Sequence, residues 1–438
     1  MVYTLTTFLG IQDLTSDAKK LVKKYTLIVF FHNFIFMFSN TFIILFIFDL
    51  VGFIDAGILM SILLISQSVF DYPTGVLSDN LGQRWVISLS WFCFSFGFII
   101  LVYSTKFIEL IPVYIFFGIA FALFSGAFET YIDNNYKIVG LQNDPEKQIY
   151  GFFQGRIQSL VALASVLAFL MGGIVATIYS RTVAFTIQSI LGIVIGFIIL
   201  LVLKDLTDDS VEKIKKKVTL KNYARIFKSG IKFLFSSKKV FYFLISQVII
   251  QATWTVWFVF ILFLIYFGYT GSDDLATLLR SIIFLLIIPT NILVANLSKK
   301  FVDRNWLHRL KFFHAILFFG GFSLLIYLIP LENNFSLIGF LGTIFIFTIM
   351  GLFFQLSFIL EQKIVLTLIP SEIRNSVYSL IPTLVAFLGI PLVLGVSYVI
   401  ETINLIAGLI ILGILALFSA TVMYLYNRNI DNHSPSKY

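Results

Sequence analysis

Residues 56–105 read AGILMSILLISQSVFDYPTGVL, then SDNLGQR, then WVISLSWFCFSFGFIILVYST: two apolar runs on either side of a short polar segment. A helix that rises 1.5 Å per residue needs about 20 residues to cross about 30 Å of hydrocarbon, and each run reaches that length. The stretch therefore predicts two membrane-spanning helices joined by a tight turn.

The same pattern continues along the whole chain. Of the 438 residues, 59% are hydrophobic and 12% are charged, which leaves too few polar side chains to cover a water-soluble surface. Alternating strands of a membrane barrel are not seen, so we predict an all-α polytopic membrane protein with twelve transmembrane helices in two six-helix bundles. The apolar runs lie at 25–50, 56–77, 85–105, 110–133, 150–178, 182–203, 238–267, 275–297, 307–329, 335–361, 374–399 and 402–427.

One long lysine-rich connection separates the two sets of six runs. It predicts an N-terminal bundle with its tail over 1–203, a cytoplasmic linker over 204–237 and a C-terminal bundle with its tail over 238–438. Apolar residues recur at helical spacing within 219–235, with lysine and arginine between them. This pattern favours a basic amphipathic helix on the anionic lipids of the inner leaflet. The alternative is a solvated linker.

The basic residues indicate the orientation of the chain. Of the 31 Lys and Arg residues, 28 fall in segments that are internal if the N-terminus is cytoplasmic, and the exceptions are Lys106, Arg181 and Arg280. By the positive-inside rule both termini are cytoplasmic, and we expect a multi-pass protein of the plasma membrane. The net charge of +8 thus reflects orientation rather than a nucleic-acid surface.

Several classes of function are disfavoured by missing motifs. The single cysteine, Cys93, excludes a disulfide framework and a multi-cysteine metal site. The sequence has no GxxxxGK[ST] phosphate loop, no HExxH and no GxSxG. We therefore expect neither an ATP-driven pump nor an enzyme, and no cofactor or metal.

A family resemblance rests on three stretches. The segment from Gly75 to Arg84, Ser125-Gly126-Ala127-Phe128-Glu129 and Ile369-Pro370 resemble motifs of the major facilitator superfamily. The resemblance implies two six-helix halves and a conformational latch after the second helix, with a plain polar turn as the alternative. Asn80 and Gln83 stand where basic residues are common in the family. The latch residues would be Gly75, Asp79, Gly82 and Arg84.

Ionisable residues within or near the spans are candidates for ion coupling, because each is costly to place in lipid. Glu129 and Asp133 share a helix face, so one of them could hold a proton. The alternative is a structural network at the inner rim with Arg84 and Arg156. Tyr114 and Phe117 depart from the pattern of proton-driven exporters in helix four. The candidates for coupling or for the inner network are Asp71, Glu129, Asp133, Arg156, Glu361 and Arg374.

Polar residues on helices that line the cavity in this family form a second set. Arg280 is the only basic residue in an outer-half span, and either attracts an anionic or polar group of a substrate or pairs at the rim. His32 either carries a proton or is a hydrogen-bonded packing residue. The predicted cavity residues are His32, Asn33, Asn40, Gln247, Gln251, Trp254, Arg280 and Gln355.

The sequence thus predicts a monomeric secondary active transporter that works by alternating access. Its few charges and many aromatic residues favour a small amphipathic or apolar organic compound, exported from the cell, as the substrate, with the proton as the candidate coupling ion. Two alternatives remain at this point: a lipid flippase or scramblase on the same scaffold, and a membrane sensor or scaffold that transports nothing.

Overall fold

The computed structural model describes residues 5–125, 127–206, 228, 230–297, 306–369 and 374–431. All regular structure in these ranges is helical. The helices are α1 Leu5–Leu9, α2 Ser16–Met37, α3 Ile43–Leu81, α4 Gln83–Tyr103, α5 Phe107–Phe124, α6 Ala127–Val139, α7 Gln148–Ile178, α8 Arg181–Val202, α9 Lys238–Thr270, α10 Asp273–Leu297, α11 Trp306–Leu328, α12 Leu337–Leu368, α13 Arg374–Thr402 and α14 Leu405–Asp431.

Within the described ranges, ten helical stretches are long and apolar enough to span a membrane. The prediction of an all-α polytopic membrane protein is therefore confirmed. The count of twelve spans stays a prediction, because α2, which carries four lysines, and α10 are not among the ten.

Helix α2 begins well before the first apolar run. Thr15 caps it, since its side-chain oxygen accepts a hydrogen bond of 3.2 Å from the Ala18 N–H. Asp17 in the first turn suits the positive end of the helix dipole. The helix therefore starts at Ser16 rather than near residue 25, and the four lysines lie on it.

The chain leaves the helical path twice between residues 37 and 53. Residues 38–42 interrupt the first apolar run, and Gln188 on α8 compensates by donating 3.3 Å to the Phe36 carbonyl and accepting from the Ser39 hydroxyl. Gly52 has φ 79° and ψ −179°, a conformation that favours glycine, and divides α3 into two helical parts. The predicted gap between the first two runs coincides with this turn.

Contacts divide the chain into two compact units. The first comprises 1–46 and 62–217, and the second comprises 47–61 and 218–438. In the first unit α4 packs against α5 and α8, and α2 packs against α7. In the second, α9 packs against α13 and α14, α10 against α12, and α11 against α12 and α14.

Two segments, 47–61 and 219–235, bear on the predicted domain boundaries. Within the second unit, Phe48 contacts Phe260 with ring centroids 4.7 Å apart, and the Ile54 N–H donates a hydrogen bond of 2.8 Å to Glu401.

Of the predicted linker helix over 219–235, residues 219–227 lie outside the described residues. Residues 230–234 are helical, and the buried Leu234 belongs to an apolar core with Phe243. The three-part division of the chain stays a prediction.

Candidate functional site

The second unit encloses a cavity of about 180 Å³ between α9, α10 and α12. Its wall is mainly aromatic and aliphatic, with few polar side chains. This composition is typical of sites for small organic ligands, which are mostly apolar with a few placed polar groups. The lining residues include Trp254, Tyr266, Arg280, Phe284, Phe354 and Gln355.

Two short π-helical turns lie beside this cavity. One, Trp257–Ile261, follows Trp254 on α9, and the other, Ile316–Gly320, interrupts α11. The Trp257 and Phe318 rings from these turns meet with centroids 4.5 Å apart. Such turns insert an extra residue into a helix and are frequent at functional sites, because they redirect the side chains on either side.

Trp254 is the aromatic centre of the cavity wall. Its ring stacks on Phe258 at 4.9 Å and meets Phe354 edge-on at 5.2 Å. The indole is 7% exposed, and its Nε1–H has no hydrogen-bond partner among the described residues. A buried donor of this kind can bind an acceptor on a ligand.

Arg280 lies on α10 with its guanidinium between two rings. The Cζ atom is 4.9 Å from the centroid of Phe263 and 5.6 Å from that of Phe284, and the side chain is 6% exposed. These distances are within the range of cation–π attraction, which holds the charge against an apolar wall.

Of the cavity residues predicted for this unit, the structure brings together Trp254, Arg280 and Gln355. Gln247 lies two helical turns before Trp254 on α9 and is buried, but it does not line the cavity. Its Nε2 has no hydrogen-bond partner among the described residues. Gln251 is exposed and lies off the cavity wall.

His314, which was not among the residues predicted from the sequence, lies against the other side of Trp254. The two ring centroids are 5.2 Å apart, and His314 also stacks on Phe318 at 5.8 Å. The imidazole is 3% exposed, and its Nε2 has no partner among the described residues. Its position one turn after Lys311 was the available signal, but it does not reveal the contact with Trp254.

The predicted polar stripe on α2 lies in the first unit and is engaged there. His32 accepts a 3.0 Å hydrogen bond at Nδ1 from the Trp91 indole and stacks on Phe124 at 4.6 Å. Asn33 donates to the Val161 carbonyl and the Ser165 hydroxyl on α7. Asn40 lies in the interruption over 38–42. The side chains of His32 and Asn33 thus make packing and hydrogen-bond contacts within the first unit. A role of these residues in transport stays a prediction.

In the first unit, Asp133 does not pair with Arg84 or Arg156 as the predicted inner network has it. Asp133 binds Lys137 at 2.6 Å and Lys147 at 2.5 Å. Burial acts to raise the pKa of this carboxyl, but the hydrogen bonds from the two lysines hold it below its usual range. Arg156 lies over the rings of Phe8 and Phe152 instead of pairing with Asp133.

The loop after α3 contains the predicted latch residues. Gly82 ends the helix with φ 95° and ψ 152°. Arg84 meets an acid that the sequence analysis did not identify, Asp205, whose Oδ2 is 3.8 Å from its Nε. The side chains of Asp71 and Ser125 are hydrogen-bonded. The predicted side chains that lie outside the described part of the structure are those of Gly75, Asp79, Glu129 and Arg374.

In the second unit, Glu361 pairs with Lys311, with Nζ and Oε1 2.7 Å apart. The two side chains are 12% and 5% exposed. Lys311 also donates 3.3 Å to the Ser246 hydroxyl, which is itself hydrogen-bonded to Ser419. A buried ion pair thus joins α11 and α12, a contact that was not predicted from the sequence.

Comparisons with known proteins agree with the helical fold. The sequence model of the Major Facilitator Superfamily matches residues 25–394. No curated protein matches the chain. Many solved structures share the fold, among them three of low identity. A point mutant of the nucleoside transporter NupG has a TM-score of 0.74 and 14% identity, covering 93% of this chain and 99% of its own.

The other two structures are similar in extent. The POT family transporter PepTSo has a TM-score of 0.70 and 11% identity, covering 94% of this chain and 99% of its own. A D-xylose–proton symporter has a TM-score of 0.67 and 13% identity, covering 92% and 98%. At such identities the likeness establishes the fold alone.

Proposed function

The chain belongs to the Major Facilitator Superfamily, a family of secondary transporters, and we propose that it exports a small amphipathic or apolar organic compound across the plasma membrane by alternating access. The observation that carries this proposal is the aromatic cavity around Trp254 in the second unit. Its volume of about 180 Å³ is comparable with that of an engineered apolar cavity of roughly 150 Å³ that binds benzene, which suits a compound with one ring or a short chain.

The wall of the cavity supports an apolar body for the substrate. Six aromatic side chains from α9, α10 and α12 line it, and burial of apolar surface against them is favourable. A sugar or a multiply charged metabolite would instead leave its polar groups without partners there. Compounds with such an apolar body enter cells through lipid in their uncharged form, so we propose expulsion rather than uptake as the direction of transport.

The orientation of the chain belongs to the same proposal. The excess of Lys and Arg in the segments between the runs supports cytoplasmic termini. The anionic lipids of the inner leaflet are then the proposed partner of residues 219–235, and the monomer is the proposed transporting form.

We include the proton as the coupling ion. Glu361 is the candidate carboxylate, because its side chain is only 12% exposed and forms an ion pair of 2.7 Å with Lys311. Nearby titratable groups on α11 are His308 and His314, and α9 and α14 contribute the hydroxyls of Ser246 and Ser419. Proton coupling also occurs in the D-xylose–proton symporter, which shares the fold. Asp133, bound to two lysines, suits the inner charge network instead.

Reconstitution tests the proposal. The purified chain is screened by thermal shift against metabolites, drugs and lipids at two pH values, and stabilising compounds are then assayed for flux in proteoliposomes with and without a proton gradient. We expect gradient-driven flux of a small amphipathic compound that Trp254→Ala abolishes. Trp306→Ala, a matched change at an exposed tryptophan away from the cavity, should retain flux.

The same assay separates the alternatives. Movement of phospholipid analogues without a gradient would favour a flippase or scramblase. Absence of stabilisation and of flux with every compound would favour a sensor or scaffold and would overturn the proposed function.

A further inference from the structure

The cavity wall is asymmetric in charge. Among the residues described as lining it, Arg280 is the only formally charged one, and no acidic residue is present. An arginine in the outer half of a span is costly to insert unless it serves a site or a partner. Arg280 therefore supplies the one formal charge among these lining residues, and it is positive.

The guanidinium is held in a fixed place. Phe263 and Phe284 flank it at 4.9 Å and 5.6 Å from ring centroid to Cζ, and little of it is exposed. Guanidinium groups present a planar set of N–H donors that matches the two oxygens of a carboxylate. A ligand anion in the cavity would meet a donor that is already oriented.

The neutral polar groups of the wall also favour an acceptor on the ligand. The hydroxyls of Thr290 and Thr348 donate to carbonyls of their own helices at 2.7 Å and 2.8 Å. The Trp254 indole N–H, which is a donor only, is buried without a hydrogen-bond partner among the described residues. Two residues of the cavity wall, Arg280 and Trp254, thus carry N–H donors.

We propose that the transported compound is a small organic monoanion, a carboxylate on an aromatic or short aliphatic body. Its carboxylate binds Arg280 and the Trp254 N–H, and its apolar body packs on the rings of Trp254, Phe284 and Phe354. An ammonium compound of the same shape is repelled by Arg280, and a neutral one gains no charge-assisted hydrogen bond. This inference rests on the proposed function and names its substrate class.

Three compounds of matched shape test it: benzoate, benzamide and benzylammonium. Binding to the purified full chain is measured by calorimetry. We expect benzoate to bind at least about tenfold more tightly than the other two, since a charge-assisted hydrogen bond is roughly a tenfold effect or more. Arg280→Gln should remove this preference. Arg309→Gln, at an exposed arginine that stacks on Trp306 outside the cavity, should keep it.

A second variant covers the case in which Arg280→Gln does not fold. Trp254→Phe keeps a ring and removes the N–H, so it should weaken benzoate binding more than benzamide binding, because the neutral amide oxygen is the weaker acceptor. Equal affinity of the wild-type chain for the three compounds, or a preference for benzoate that survives both variants, overturns the inference.

The failure of this inference is distinguishable from that of the proposed function. If a neutral or cationic amphipathic compound is transported and its flux is lost in Trp254→Ala while carboxylates are not bound, the chain is an exporter with another substrate class. If no compound of any charge is bound or transported, the proposed function itself fails.

Discussion

Lys311 and Glu361 form an ion pair of 2.7 Å inside the second unit, although they are 50 positions apart in the chain and lie on different helices. Lys311 lies on α11 and Glu361 on α12, and their side chains are only 5% and 12% exposed. The desolvation penalty of each buried charge is offset only by its attraction to the partner. Removal of one residue therefore leaves the other charge buried without that compensation.

Lys311→Met should therefore destabilise the protein strongly, by about 3–5 kcal/mol, because it leaves the Glu361 carboxylate buried without its cation. Glu361→Gln should have a smaller effect, since an amide still accepts a hydrogen bond from Lys311. The double variant Lys311→Met with Glu361→Leu should recover much of the loss. The melting temperature of the detergent-purified chain measures all three.

An exposed pair supplies the control. Lys20 and Asp17 are 3.5 Å apart with side chains 69% and 76% exposed, and Lys20→Met should leave the melting temperature unchanged within error. If the double variant melts no higher than Lys311→Met, the two residues do not act as a pair.

Asp144 fixes the start of α7 through three hydrogen bonds. It accepts from the Tyr150 N–H at 2.8 Å, the Ile149 N–H at 3.2 Å and the Tyr136 hydroxyl at 2.8 Å. Burial acts to raise the pKa of this carboxyl, but these bonds hold it below its usual range. Asp144→Ala should cost about 1–3 kcal/mol, because it leaves the donors unsatisfied.

The same residue predicts a pH dependence. A lowered pKa in the folded state stabilises the fold above the ordinary aspartate value of about 3.9, and this stability is lost as pH falls through the native pKa. The melting temperature of the wild type should thus fall below about pH 4, and Asp144→Asn should fall less. Glu146→Gln, an exposed change in the same loop, should follow the wild type. Parallel curves for Asp144→Asn and the wild type would contradict the assignment.

The helices could be read from the sequence because membrane insertion imposes long apolar runs, and α4 and α8 coincide with their predicted runs to within a few residues. The interruption over 38–42 was missed, although Ser39, Asn40 and Thr41 are three polar residues in succession. Gln188, which satisfies the backbone at that interruption, lies on another helix. Its role depends on packing that periodicity does not report.

The candidate site was predicted in part for the same reason. Arg280 and Trp254 were recognisable because a charge or a tryptophan at membrane depth is unusual in itself. Partners such as Lys311 for Glu361, or Asp205 for Arg84, could not be assigned. Each acid has several basic residues at plausible depth, and only the folded chain decides which one it meets.

Gly82 should not tolerate a side chain. Its φ of 95° and ψ of 152° lie in a region that is almost confined to glycine, at a cost of about 1–3 kcal/mol for other residues. A Cβ there would also overlap the Asp205 carboxylate, which binds Arg84. Gly82→Ala should thus lower the melting temperature by several degrees. Gly155→Ala on α7, where an added Cβ meets nothing within 4 Å, should be neutral or stabilising, and equal losses in the two variants would contradict this reading.

His32 should act as a packing residue rather than as a proton carrier. Its Nδ1 accepts the 3.0 Å hydrogen bond from Trp91, and its ring lies flat against Phe124. Trp91→Phe removes the donor, keeps an aromatic ring and leaves a buried acceptor unsatisfied, at a cost of about 1–3 kcal/mol. We expect a lower melting temperature and an unchanged pH dependence of substrate flux in proteoliposomes.

The control for this variant lies on the same helix. Trp85 is 48% exposed, so Trp85→Phe should affect neither stability nor flux. If Trp91→Phe instead shifts the pH at which flux is half-maximal, the proton affinity of His32 contributes to transport, because the indole N–H competes with a proton for Nδ1. Coupling would then belong to the first unit, and Glu361→Gln should leave proton-driven flux intact.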